Sequence, residues 1–373
     1  MEFKITDRRP QTKDKRIMAK DKRKMTAAVY LLLVCFVLPL FVISCAAQKG
    51  EDPLPIVKRM VAEENNIDYA GIKAITRRKN GETLTVKMKV AKKSPDKLRI
   101  TFLEPPDKKG KEFVKIGKNF WSIDENRIKG KRHFRMFRRM NKCFKIRDLD
   151  LLLRNFTLKY DGIDKVSGRQ CYVITIKPKR ADRIWRKIWI DKEYYLALRS
   201  DEYYVHGGSS IPRSSFVYEK IEFDPPFTKS TFEVPLAAGA RSVIKGTSRE
   251  NITIVEALRT LIVPIYMPSY VPTGYKQVEL KIFRRGKAEF LHALYSNGLS
   301  TISLFQGKTT EKHRKWMGKF ETTDIEGQPV YRMKKGPLTI LNTTIGNTSI
   351  TLVGDISEKQ LQKMFSSLEK VNK

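Results

Sequence analysis

The chain has 373 residues, 41% of them hydrophobic and 31% charged, and a formal net charge of +34. This is too apolar for a disordered polyelectrolyte and long enough for two domains. Four cysteines exclude a disulfide scaffold, while the positive charge narrows the partners to polyanions, from nucleic acid to phospholipid or lipopolysaccharide phosphates and acidic protein segments.

At the N-terminus, Lys20, Lys22, Arg23 and Lys24 precede roughly 18 uncharged residues, then a small residue and a cysteine, the order of an export signal. Val42-Ile43-Ser44-Cys45 resembles the lipobox of bacterial lipoproteins. That resemblance implies that residues 1–44 are a signal peptide cut before Cys45, whose thiol is diacylated. An uncleaved anchor is the alternative, since the apolar run just reaches spanning length. Either route places residues 46 onward in the cell envelope, tethered to a membrane and facing the periplasm or extracytoplasmic space. Nucleic acid then drops out as a partner.

Residues 45–53 read as a polar tether. Leu54, Val57 and Val61 recur at helical spacing, predicting a helix from Leu54 to Asn66. A hairpin follows, Tyr69–Arg78 and Thr83–Lys92 around Asn80-Gly81, a dipeptide that suits the tight two-residue turn. In its second strand Leu84, Val86, Met88 and Val90 alternate with polar residues, so one face is apolar. Further strands are predicted at Lys97–Leu103, Phe113–Ile116, Asn119–Ile123, Cys171–Lys177, Ile184–Asp191, Leu196–Tyr204 and Phe216–Phe223. Between them, Arg147–Tyr160 carries a helical stripe of Leu149, Leu152, Leu153 and Phe156. A long, mostly antiparallel sheet with two or three helices is an α+β plan.

The segment Lys129 to Arg147 holds nine basic residues, among them Arg132, Arg135, Arg138 and Arg139, and no acidic one. Phe134, Met136, Phe137, Met140 and Phe144 are interleaved with them. Cations mixed with apolar groups suit a surface that meets anionic lipid, and a solvated loop edge is the competing reading. Cys143 and Cys171 are the two thiols left after the signal and the lipid site; they either pair in an oxidising compartment or stay as separate core residues.

A second unit follows 54–235. Residues 236–263 read as a small-residue linker and a helix, and 264–373 hold strands at Lys276–Arg284, Phe290–Tyr295, Ser300–Phe305, Pro329–Met333, Thr339–Thr344 and Thr348–Val353. A closing helix is predicted from Glu358 to Lys370, capped by Ser357.

The four histidines, His133, His206, His292 and His313, are scattered, and neither H-E-x-x-H nor G-x-S-x-G occurs. The expectation is a binding protein, not an enzyme, with no metal and no cofactor.

Three stretches carry a family resemblance: Asn155-Phe-Thr-Leu-Lys-Tyr with Val166-Ser-Gly-Arg-Gln-Cys-Tyr; Ile188-Trp-Ile-Asp-Lys-Glu-Tyr-Tyr-Leu-Ala-Leu; and Val271-Pro-Thr-Gly-Tyr with Leu294-Tyr-Ser-Asn-Gly-Leu and Val353-Gly-Asp. In this order they resemble the MucB/RseB family, periplasmic regulators of the envelope-stress sigma factor. Asn297 stands where that family has Asp. The resemblance implies a LolA/LolB-like unclosed antiparallel β-barrel with internal helices, followed by a smaller α+β domain. It also implies two competing partners, the periplasmic part of an anti-sigma factor and an amphiphile such as lipoprotein acyl chains or lipopolysaccharide. Met88, Ile100, Phe102, Phe120, Ile174 and Trp189 are the candidate lining of the acyl cavity. A lipid or lipoprotein carrier of the LolA type is the alternative function.

Overall fold

The computed structural model describes residues 50–372 apart from 80–81, 118, 125–126, 129–145, 147, 181–183, 207, 235–247, 250–251, 286–287, 319 and 336–337. Cys45, Cys143, the arginines 132, 135, 138 and 139, and most of the expected linker lie outside the described residues. Asp52–Lys373 forms one compact unit built on two large sheets.

Helix α1, Pro53–Glu63, starts one residue earlier than its apolar stripe suggests, because Asp52 caps it by accepting from the Leu54 amide at 3.0 Å. The first sheet then takes β1 (Tyr69–Lys79), β2 (Glu82–Lys93), β3 (Lys97–Glu104), β4 (Glu112–Ile116), β5 (Asn119–Asp124) and β6 (Arg127–Ile128). After helix α2 (Leu149–Asn155) come β7 (Phe156–Val166), β8 (Arg169–Pro178), β9 (Ile184–Asp191), β10 (Ala197–His206) and β11 (Ser209–Phe223). The strand order is β6-β5-β4-β3-β2-β1-β11-β10-β9-β8-β7, with edges at β6 and β7, so the sheet is not closed. Lys79 pairs with Glu82, as a two-residue connection at 80–81 requires. The sheet coils: the Ser167 hydroxyl at the β7–β8 turn donates to the Tyr218 carbonyl in β11, three strands from β8. In a flat sheet those strands would stand about 14 Å apart.

The helix predicted to run through Tyr160 stops at Asn155. From Phe156 the chain is strand, with Phe156 opposite Pro178 and Leu158 opposite Ile176. Phe156, Leu158 and Tyr160 satisfy a period of two as well as Leu149, Leu152 and Phe156 satisfy 3.6, and pairing with β8 decides between them.

The second sheet contains β12 (Ser248–Arg249), β14 (Lys276–Arg285), β15 (Ala288–Ser296), β16 (Thr301–Lys308), β17 (Glu321–Ile325), β18 (Gln328–Lys335), β19 (Leu338–Ile345) and β20 (Thr348–Gly354). Helix α3 (Ile254–Thr260) is closed by a capping box between Thr253 and Glu256. Helix α4 (Glu311–Met317) has no counterpart among the predicted elements. Helix α5 covers Glu358–Ser366 only. The chain then turns at Ser367, whose hydroxyl donates to Met364 and accepts from the Tyr270 amide, and β21 (Leu368–Lys370) pairs with β13 (Tyr266–Pro268). Ile302, Leu304, Ile350 and Leu352 form a closed core with Leu361 and Met364 of α5.

Candidate functional site

Cross-strand partners share a face, so register fixes where the expected acyl lining goes. Met88 faces Lys73 on one side and Phe102 on the other, and Val90 aligns with Ile100, which aligns with Phe113. Met88, Ile100, Phe102 and Phe120 thus lie on one face of β2–β5 and join one apolar cluster. Ile174 shares that face through Ile188, Ser200 and Phe216, yet it packs in a separate cluster under Val57 of α1 and Leu152 of α2. Trp189 stands on the other face of its strand, where its indole donates to Asp164 at 2.9 Å. Five of the six candidates, Trp189 among them, share one apolar cluster, and Ile174 belongs to another. They are also closely packed, from 0% exposure at Ile174 to 5% at Trp189, as core side chains are.

Lysines also stand on this apolar face, and one of them, Lys73, the sequence reading passed over. Lys73 follows Gly71 and precedes Ile75 at the inward positions of β1, directly between Met88 of β2 and Tyr218 of β11. It is half-buried. Its ammonium lies 3.9 Å from the centre of the Phe216 ring and 4.9 Å from that of Tyr218. Burial pulls the Lys73 ammonium down to about 8, with the charge of Glu64 opposing the shift. Tyr218 donates its hydroxyl proton to Tyr69 at 3.1 Å, and burial raises both phenols, so both stay neutral. Lys92, on the same face, donates to the Glu64 and Ile67 carbonyls at 3.0 Å each. A lysine in a run of inward apolar positions was the available sequence signal.

Cys171 is a buried free thiol pushed up to about 12 by burial, and its suggested partner Cys143 lies outside the described residues. His313 lies 2.6 Å from the Ser349 hydroxyl and 3.2 Å from the Asn342 amide, and burial lowers its pKa. Ser349 is only 5% exposed in mid-strand, so the pair fastens α4 to the sheet.

The motifs noted in the sequence meet at the joint between the two sheets. The side-chain amide of Asn155, at the end of α2, donates to the Leu151 carbonyl at 3.0 Å, to Gly274 at 2.9 Å and to Asn297 at 3.0 Å. Gly274 has φ +89°, and a β-carbon there would lie 2.6 Å from the Asn155 oxygen. Gly298 has φ +98°, and its β-carbon would lie 2.5 Å from the Leu152 backbone. Both positions need glycine for conformation and for space. The Asn297 side-chain oxygen accepts from the amides of Leu299 and Ser300, a turn that an aspartate in its place would also form. Leu299 then packs into the cluster beneath α1 and α2.

A buried charge network crosses the same joint. Arg186 donates to Glu202 at 2.7 Å; Arg213 lies 3.4 Å from Glu202 and 2.7 Å from Asp355 of the second sheet. Burial pushes Glu202 upward, but Arg186 and Arg213 outweigh it and hold the carboxyl below its usual range. Lys276 pairs with Asp148, the cap of α2, at 3.1 Å. Among the described residues, no helix is long and apolar enough to cross a membrane.

An unclosed, coiled antiparallel sheet joined through α2 to a smaller sheet with its own core is the MucB-like fold. A structure of MucB in complex with MucA(peri) aligns with 86% of this chain and 100% of its own, with a TM-score of 0.56 and 14% identity. The MucA/MucB complex of Pseudomonas aeruginosa aligns with a TM-score of 0.54 at 14% identity, over 86% of this chain and 99% of that one. A family model described only as an uncharacterized protein matches residues 94–250. Among curated proteins, the uncharacterized protein MJ0687 of Methanocaldococcus jannaschii is 23% identical over 258 residues, 65% of this chain and 68% of its own.

Proposed function

We propose that this chain is a membrane-tethered, non-enzymatic regulator in the extracytoplasmic space. It binds the extracytoplasmic segment of a membrane protein, of the anti-sigma-factor kind, in competition with an acylated amphiphile. The single observation that carries this reading is the two-sheet architecture. Both sheets align together with MucB over that protein's whole length, and MucB is described in complex with MucA(peri). The joint supports it further, because Asn155, Gly274, Asn297 and Gly298 hold the sheets in one arrangement that a second ligand can favour or oppose. The Cys45 lipid and the Lys129–Arg147 cations would keep the protein at an anionic membrane surface.

The test is a binding titration of the full-length protein in nanodiscs with the extracytoplasmic segment of an anti-sigma factor encoded beside it. Saturable binding supports the regulator. A carrier is the second reading, favoured by the apolar face of β2–β5. It requires the protein to move a fluorescent acyl lipid between vesicles, and such transfer without partner binding would replace the first reading.

A further inference from the structure

We propose that the open edge of β17 is a docking site for an extended, lysine- or arginine-bearing segment of a partner protein, which adds to the second sheet as a further strand. The edge is separate from the joint, and its binding does not depend on the regulator reading. β17 pairs with β18 alone, in unbroken register, and Glu321, Thr322 and Asp324 are exposed. Glu326 and Gly327 form the two-residue turn, both at positive φ, so Ile325 and Gln328 are a hydrogen-bonded pair. Alternation then turns the N–H and C=O of Thr322 and Asp324 outward, where no other strand of the described residues meets them. Beside this edge, at the end of the sheet opposite Asp355, lies a cavity of about 90 Å³ lined by Ile325, Glu326, Gln328, Ile345, Phe365 and Leu368. That is far below the roughly 300–1,000 Å³ of a small-molecule site and suits one side chain of an added strand. Charge selects which one. Residues 320–331 carry Glu321, Asp324 and Glu326 and no lysine or arginine, in a chain of formal charge +34. Arg332 takes Glu321 at 2.7 Å, whereas Glu326 has no cation beside it among the described residues. A basic side chain would lay its stem on Ile325, Ile345 and Phe365 and bring its charge to Glu326. The same carboxylates would repel a second copy of β17, so a cationic partner is favoured over self-pairing.

The experiment follows, by fluorescence anisotropy, a labelled heptapeptide alternating threonine and lysine as it binds the full-length protein in phosphatidylcholine nanodiscs. The same peptide with glutamate for lysine, and one N-methylated at alternate backbone amides, are the comparisons. The net positive charge of the protein favours the glutamate peptide, so saturable binding of the lysine peptide alone supports the site. Glu326→Asn removes the carboxylate and suits the left-handed backbone, so the melting temperature should hold while binding weakens about fivefold. Thr322→Pro removes an N–H that the pairing with β18 does not use, and should weaken binding about tenfold or more. Equal binding of the N-methylated peptide overturns strand addition. Absence of saturable binding by the lysine peptide, or binding that neither variant weakens, overturns the site. Self-association that Thr322→Pro abolishes, without peptide binding, places a second copy on the edge and overturns the partner. Each of these failures leaves the regulator reading standing.

Discussion

Gly298 sits so close to Leu152 that a β-carbon would meet the Leu152 nitrogen and α-carbon at 2.5 Å, although one residue belongs to the second sheet's β15–β16 turn and the other to α2. This contact, with the two hydrogen bonds that Asn155 donates to Gly274 and Asn297, makes one unit of the two sheets.

Gly298→Ala is therefore expected to destabilise by about 3 kcal/mol or more, from backbone strain at positive φ plus the overlap with α2. Asn155→Ala should cost about 2 kcal/mol, because carbonyls of Gly274 and Asn297 lose their donor. Denaturant unfolding measures both, and a second, separate transition in either variant would show the sheets uncoupled. Changes within the error of wild type would remove the joint from the account.

The network through Glu202 gives a pH dependence of definite sign. Its folded pKa lies below the ordinary value of 4.5, so its stabilisation is complete above 4.5 and is lost as pH falls through the folded value. Arg213→Met should cost about 2–4 kcal/mol at neutral pH by leaving buried carboxylates short of a partner. The gap between variant and wild type should narrow below pH 4.5, as read from melting temperatures across pH.

Lys73 has the opposite consequence. Its folded pKa of about 8 lies below the ordinary 10.5, so below pH 8 the folded protein bears the full cost of a charged, half-buried amine. Lys73→Met should raise stability at pH 7 by about 1–3 kcal/mol, and the gain should fade between pH 8 and 10.5. A variant less stable than wild type at pH 7 would mean that the ring contacts outweigh the desolvation.

Cys45 is expected to be the mature, acylated N-terminus. Intact mass of membrane-purified protein should show loss of residues 1–44 and added acyl mass, and Cys45→Ser should remain uncleaved. An intact leader on the wild-type protein would support the uncleaved anchor instead.

Much of the sheet plan was legible because a half-buried strand writes a period of two. In β2 the alternation of Val86, Met88 and Val90 identifies both the strand and the face it buries. The switch at Phe156 was not legible, since its apolar residues fit two periods until β8 is in place. The β21 strand was hidden for a similar reason, Leu368 continuing the helical stripe of Leu361, Met364 and Phe365. The joint depends on residues 119 and 142 positions apart in sequence, and local pattern holds no trace of such contacts. The motifs that carried the resemblance did include Asn155, Gly274, Asn297 and Gly298, without revealing that they touch. Placing Ile174 under α1 and α2, apart from the cluster that holds Trp189, required the packed structure.

The central claim is that one body binds a partner segment and an amphiphile in opposition, and the reciprocal titration tests it most directly. The affinity of the full-length protein for the neighbouring anti-sigma factor's extracytoplasmic segment is measured with and without a saturating diacylated peptide. The affinity for that peptide is then measured with and without the segment. Linkage requires the same factor in both directions, and a tenfold effect corresponds to about 1.4 kcal/mol of coupling. The account predicts matching losses of affinity of that order, absent with the deacylated peptide. Tight binding of the acylated peptide with no change in segment affinity would contradict it.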